Sequence, residues 1–174
     1  AGHIQHHVAE RDIAAIGGKD SMSGTFEDIH VPPSLISFAV TTESLDRILS
    51  PEFKEAGREV YWIRPQLNAE GLPTASSLKK IFAAMSEWGR QGILSAAATP
   101  GYGGAAEAVY KMALGNRRGF AFEPEYTVAE LFGYSYGSFV LETHRPPEAI
   151  PEGVRCTKLG RTLSEPTLIR GKEK

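Results

Sequence analysis

Sulfur crosslinks cannot hold this chain together: of its 174 residues one is cysteine, Cys156, which has no internal partner. A lone thiol points to a reducing compartment. The chain also lacks an excess of charge of one sign. Its 19 Lys and Arg stand against 21 Asp and Glu, a formal net charge of −2, which gives no general attraction to phosphate backbones or anionic lipid. Nucleic acid is thereby excluded as a principal partner. No stretch approaches the roughly 18–20 apolar residues needed to cross a bilayer, and the first residues lack the basic-then-apolar pattern of a secretory signal. The expectation is a cytoplasmic protein with no membrane partner. Fixed-period repeats and low-complexity tracts are missing too. What is present is ordinary for a globular chain: 41% hydrophobic and 23% charged residues, with 18 Gly and 11 Pro. A single domain of this length hides roughly 70% of the surface its unfolded chain exposes, so folding requires neither disulfide nor metal. The chain begins at Ala1, which fits a processed end or a piece of something longer.

Read by periodicity, Ile4 to Glu10 is the end of a helix, and Asp12 to Ile16 is a short apolar strand stopped by Gly17-Gly18. A long polar loop follows from Lys19 to Pro33, and Leu35 to Val40 reads as a second strand. Thr41 to Gly57 holds a short helical candidate around Leu45, Ile48 and Leu49, broken by Pro51 and Gly57, and a domain boundary is placed here. Glu59 to Arg64 is a strand ended by Pro65. Leu78, Ile81, Phe82, Met85 and Trp88 recur at helical spacing, with Thr74 or Ser76 as N-cap. Ile93 to Ala98 is a strand of small residues, and the glycine-rich Thr99 to Gly104 turns into a second helix with Ala106, Val109, Tyr110, Ala113 and Leu114 on one face. Further strands are expected at Gly119 to Glu123, Gly137 to Glu142, Val154 to Leu159 and Thr167 to Arg170. Strands interleaved with two good helices predict an α/β (α+β) fold, a mixed sheet with helices covering one face.

The stretch that packs the most chemistry is Gly17-Gly18-Lys19-Asp20-Ser21-Met22-Ser23-Gly24. Glycines let backbone amides approach an anion, Lys19 supplies a point charge, and Asp20 is a candidate ligand for Mg²⁺ or its water shell, with Ser21 and Ser23 as hydroxyl donors. It is not a Walker loop, whose Gly-x-x-x-x-Gly-Lys-Ser/Thr spacing it does not meet. An ordinary solvated loop accounts for the same composition. Gly103 and Gly104 open the second helix, where free amides attract anions; a tight strand-to-helix turn needs the same glycines. His3, His6 and His7 have chelating spacing but no Cys or carboxylate beside them, so an exposed helix face explains them as well. Cys156, between Arg155 and Thr157, lacks a glycine-flanked nucleophile elbow and reads as a partly buried strand cysteine. No catalytic residue is assigned.

The run Ala14-Ala15-Ile16-Gly17-Gly18-Lys19-Asp20-Ser21-Met22-Ser23-Gly24, followed by Val31-Pro32-Pro33-Ser34-Leu35-Ile36-Ser37-Phe38-Ala39-Val40, closely resembles phosphoribosylformylglycinamidine synthase, the ATP-dependent amidotransferase of purine biosynthesis. The order of later elements is similar as well: the helix at Leu78 to Trp88, the Gly-Gly turn into Ala105 to Leu114, and Leu131-Phe132 before Phe139 to Glu142. The resemblance covers nearly all of this chain but a minority of the far longer family chain, which implies a fragment. It implies that residues 1–42 are the tail of a synthetase N-terminal-type subdomain. Residues 43–174 would then be the C-terminal-type α/β subdomain of the aminoimidazole-ribonucleotide-synthetase-like superfamily, in the second half of the synthetase region.

The implied activity is that of a carbon–nitrogen ligase: ATP phosphorylates the amide oxygen of formylglycinamide ribonucleotide, and glutamine-derived ammonia displaces phosphate to give the amidine. The implied cofactors are ATP or ADP and Mg²⁺. The implied partners are the remaining synthetase subdomains and the glutaminase domain of the same longer chain. An isolated piece would be inactive, and its uncovered apolar area would favour self-association. On this resemblance Lys19 contacts phosphate, Asp20 and Ser21 support the phosphate or its metal, and Gly17 and Gly18 allow close approach. The sequence departs from the family in two places. Its second-half turn usually reads His-Asp-x-Ser-Asp-Gly-Gly, whereas Ala98-Thr99-Pro100-Gly101-Tyr102-Gly103-Gly104 carries no acid; and Leu131-Phe132-Gly133-Tyr134-Ser135-Tyr136 lacks the acid that often follows Leu-Phe. Those departures favour an alternative, a non-catalytic scaffold half with a decayed or structural nucleotide site. A further alternative is another ATP-using enzyme of the same fold, such as a selenophosphate synthetase or a hydrogenase-maturation protein.

Overall fold

The computed structural model describes residues 17–21 and 23–171. The expected helix end at 4–10, the strand at 12–16 and the three N-terminal histidines lie outside them. The chain forms two compact units, residues 1–44 and 45–174.

In the first unit, β1 (Gly17–Ser21) pairs antiparallel with β4 (Ser34–Phe38), setting Lys19 opposite Ile36 and Asp20 opposite Leu35. Between them β2 (Gly24–Phe26) and β3 (Ile29–Val31) form a hairpin, turned at Glu27 with φ of 52°. This corrects the expected loop from Lys19 to Pro33. The polar run is extended backbone because β4 offers it a complete ladder, and the turn at Glu27-Asp28 is flanked by Thr25, Phe26, Ile29 and Val31, residues that suit a pleated strand. At Gly18 an added Cβ would meet the Ile36 carbonyl oxygen at 2.8 Å, so strand pairing alone requires glycine there.

The second unit is built on a six-stranded mixed sheet in the order β10-β7-β9-β5-β8-β6. Its strands are β5 (Glu59–Arg64), β6 (Leu94–Ala98), β7 (Gly119–Phe122), β8 (Phe139–Thr143), β9 (Arg155–Leu163) and β10 (Leu168–Arg170). All pairs are antiparallel except β10 with β7. Three helices accompany it: α1 (Ala75–Arg90), α2 (Gly104–Gly115) and the short α3 (Val128–Phe132). The candidate helix before Pro51 is reduced to a single 3₁₀ turn, Leu45–Arg47.

Two separate cores show how the helices lie. Val60, Trp62 and Val140 pack with Ala105, Ala108, Val109 and Met112 of α2. Ile63 and Leu141 pack with Ile81, Ala84 and Trp88 of α1. Neighbouring strand residues point to opposite faces, so Val140 and Leu141 place α2 and α1 on opposite sides of the sheet. Both faces are covered, where the sequence led us to expect one. Thr74 starts α1 by accepting the Ser77 amide at 3.4 Å, and the Trp88 indole N–H donates to the Glu148 carbonyl at 3.0 Å, which ties the last turn of the helix to the connection between β8 and β9. No helix of the described residues is long and apolar enough to cross a membrane.

Candidate functional site

The sequence-derived site residues fall into both units, and each group is described within its own. Gly17, Gly18, Lys19, Asp20 and Ser21 follow one another along β1, and Ser23 lies in the link to β2. Lys19 is exposed. At Gly17 an added Cβ would meet nothing within 4 Å, so the backbone there is open to close approach.

Gly103 and Gly104 lie at the start of α2, and there the chain supplies its own anion. The Glu107 carboxylate accepts the Gly103 amide N–H at 2.6 Å through Oε2, while its Oε1 pairs with the Lys111 ammonium one turn on. The hydrogen bond from Lys111, followed by that from Gly103, holds the Glu107 carboxyl below the usual carboxylate range, so it stays ionised at the positive end of the helix. Gly104 has φ of 63°, and a Cβ on it would come within 2.5 Å of the carbonyl oxygens of Leu131 and Gly133. Its amide donates to the Gly101 carbonyl at 3.2 Å. The glycines therefore let α2 approach the end of α3, and a phosphate could reach the Gly103 amide only after Glu107 had moved out.

The two places where the sequence departs from the resembled pattern come together. Tyr102, in the turn before α2, meets Tyr134, after α3, edge to face with ring centroids 5.8 Å apart; Tyr134 in turn stacks on Tyr136 at 5.8 Å with planes 18° apart. All three rings are exposed. Beside them lies a cavity of about 300 Å³ whose wall includes Trp62, Arg64, Leu72, Tyr134, Ser135 and Tyr136. The Arg64 guanidinium lies 4.1 Å over the Trp62 ring, and its Nη2 donates to Thr157 Oγ1 at 3.2 Å. From the sequence Tyr102 stands out as a ring that either stacks on a base or covers the helix, whereas Trp62 and Arg64 read as strand and Tyr134 to Tyr136 as the place where an acid is missing. A second cavity, of about 480 Å³, lies along α2, α3 and β10, but its walls are chiefly apolar, among them Tyr110, Phe122, Leu131 and Leu168.

Cys156, on β9, is half-buried, and burial pushes its thiol up to about 11. The neutral form dominates at physiological pH, and the position agrees with the reading as a partly buried strand cysteine.

Solved structures share this architecture. PurL of Thermotoga maritima bound to AMPPCP superimposes with a TM-score of 0.60 at 14% identity, covering 81% of this chain and 26% of that one. The same protein with ADP gives 0.61 at 13%, covering 80% and 26%. Phosphoribosylformylglycinamidine synthase II from Thermotoga maritima gives 0.58 at 13%, covering 81% and 27%. The chain has the fold of these synthases. It spans about a quarter of their length. No protein-family model matches the chain, and no curated protein sequence does.

The sequence resemblance implies ATP and Mg²⁺, and the described residues of the second unit do not fit the cation. Among the described residues no group of three His, Cys, Asp or Glu side chains could hold a metal ion. In the turn before α2, tyrosine stands at position 102, and the nearest carboxylate of the helix, Glu107, is committed to Gly103 and Lys111. No metal-dependent step is derived for this unit.

Proposed function

We propose that the chain is a piece of the synthetase region of a phosphoribosylformylglycinamidine synthase, the carbon–nitrogen ligase that forms formylglycinamidine ribonucleotide in purine biosynthesis. The observation that carries the proposal is the occurrence of Gly-Lys-Asp-Ser-Met-Ser, residues 18–23, in a chain that has the synthase fold. Residues 1–42 are then the tail of an N-terminal-type subdomain, and residues 43–174 the C-terminal-type α/β subdomain. The chain works with the remaining synthetase subdomains and a glutaminase domain in the cytosol.

In this reading the exposed Lys19 neutralises charge on an ATP or ADP phosphate, the open backbone at Gly17 lets amides approach it, and Asp20 and Ser21 support the phosphate or its cation. Two of the superimposed synthases carry AMPPCP and ADP, which supports a nucleotide as the ligand. The test is amidine formation by the longer polypeptide that the proposal requires. Lys19→Ala and Asp20→Ala should each lower the rate by about 10²-fold, the scale of losing one preorganised charge contact. Rates equal to the parent's would refute the site.

One observation favours a second reading for the α/β unit. The Glu107 carboxylate closes the Gly103 turn, as expected of a scaffold half whose own nucleotide site has decayed. Thermal unfolding with and without Mg-ADP separates the two, because a ligand that binds only the folded state raises Tm. A shift abolished by Lys19→Ala supports the nucleotide site, and no shift at millimolar Mg-ADP supports the scaffold.

A further inference from the structure

The cavity beside Trp62 contains features that the nucleotide reading above leaves unused. Arg64 is half-buried there. Its Nε is shielded from solvent and has no hydrogen-bond partner; the same is true of Oγ of Ser135 on the same wall. Buried polar groups are ordinarily paired, and an unpaired one on a cavity wall marks where an acceptor belongs. The Arg64 charge is also costly: burial, and then the neighbouring Arg155 guanidinium, push its pKa below the ordinary arginine value.

Glu130 lines the cavity as well and attracts both guanidinium groups, but its Oε2 accepts from the amide and hydroxyl of Thr127, each at 2.9 Å. Among the described residues neither Arg64 nor Arg155 has a carboxylate within ion-pair distance. Two cations thus face one engaged carboxylate, beside exposed tyrosine rings suited to stacking on a flat partner. A guanidinium backed by an indole face is held flat, which suits it to a planar or tetrahedral oxyanion.

The geometry points to a binding site for a small oxyanion carried on a flat ring, its anionic head at Arg64 and Ser135 and its ring on Tyr134 and Tyr136. The head is a phosphate or a carboxylate. This inference is independent of the nucleotide reading at Lys19. Isothermal titration of the 174-residue chain with adenosine 5′-monophosphate and with 2-aminobenzoate distinguishes the two head groups, and adenosine serves as the uncharged control.

At least one of the two anions should bind saturably. If adenosine 5′-monophosphate binds, adenosine should be weaker by about tenfold or more, which corresponds to one charge-assisted contact. Arg64→Gln should weaken the binding anion by a similar factor. Should Arg64→Gln fail to fold by circular dichroism, Tyr134→Ala, at an exposed position, carries the test and should weaken binding about fivefold through lost stacking. Binding of neither anion at millimolar concentration overturns the site. So does equal affinity in the parent, Arg64→Gln and Tyr134→Ala chains. Loss of adenosine 5′-monophosphate binding in Lys19→Ala but not in Arg64→Gln overturns it too, while leaving the reading at Lys19 intact.

Discussion

At Glu142 a carboxylate with no exposed surface accepts the backbone amides of Lys54 and Glu55, at 2.9 and 3.2 Å, and the Ser95 hydroxyl at 2.9 Å. It joins β8 to the segment before β5 and to β6. Removing it strands the two backbone amides, while Ser95 keeps the Glu142 carbonyl at 3.1 Å, so Glu142→Ala should cost about 3 kcal/mol, measured by urea unfolding. Cys156 offers a second test at this scale. Its thiol is pushed up to about 11 in the fold, whereas an unfolded cysteine titrates near 8.5. The native state therefore keeps the proton longer than the unfolded one, and this group's contribution to stability is present below about pH 8.5 and is lost as pH rises toward 11. Iodoacetamide at pH 8 should leave Cys156 largely unmodified in the folded chain and modify it readily once urea is added; fast labelling of the folded chain would contradict the burial.

The elements that could be read in advance are those whose side chains repeat with one period. Leu78, Ile81 and Trp88 mark α1, and the run from Glu59 to Arg64, closed by Pro65, marks β5; both appear where expected. β1 was hidden because Gly17 to Ser21 carries no apolar alternation, and only its partner β4 makes it a strand. α3 was missed although Thr127 and Glu130 form a capping box with both reciprocal bonds present. Thr127→Ala should remove that box and cost about 1 kcal/mol in thermal or chemical unfolding. Gly104→Ala should cost more, about 2 kcal/mol or above, because its Cβ meets backbone that cannot move aside and its φ is left-handed. The candidate phosphate turn was legible as glycine-rich, but its occupation by Glu107 was not. That depends on a rotamer choice made in three dimensions, to which the spacing of Gly103, Glu107 and Lys111 gives only a hint.

For the molecule as a whole, sequence order does not reveal sheet order. The strands run β10-β7-β9-β5-β8-β6, and α1 and α2 fall on opposite faces. The Arg64 cavity draws residues from β5, from the loop before α1 and from the loop after α3, so its assembly could not be read along the chain. The string around Lys19, by contrast, is contiguous and was visible at once. The proposal therefore rests on a local motif and a global fold likeness, and a measurement at Lys19 tests it most directly. Titration of Mg-ATP into the longer synthetase polypeptide should give an affinity about tenfold weaker for Lys19→Ala than for the parent, the loss expected of one charged phosphate contact. Equal affinities for the two would contradict the account.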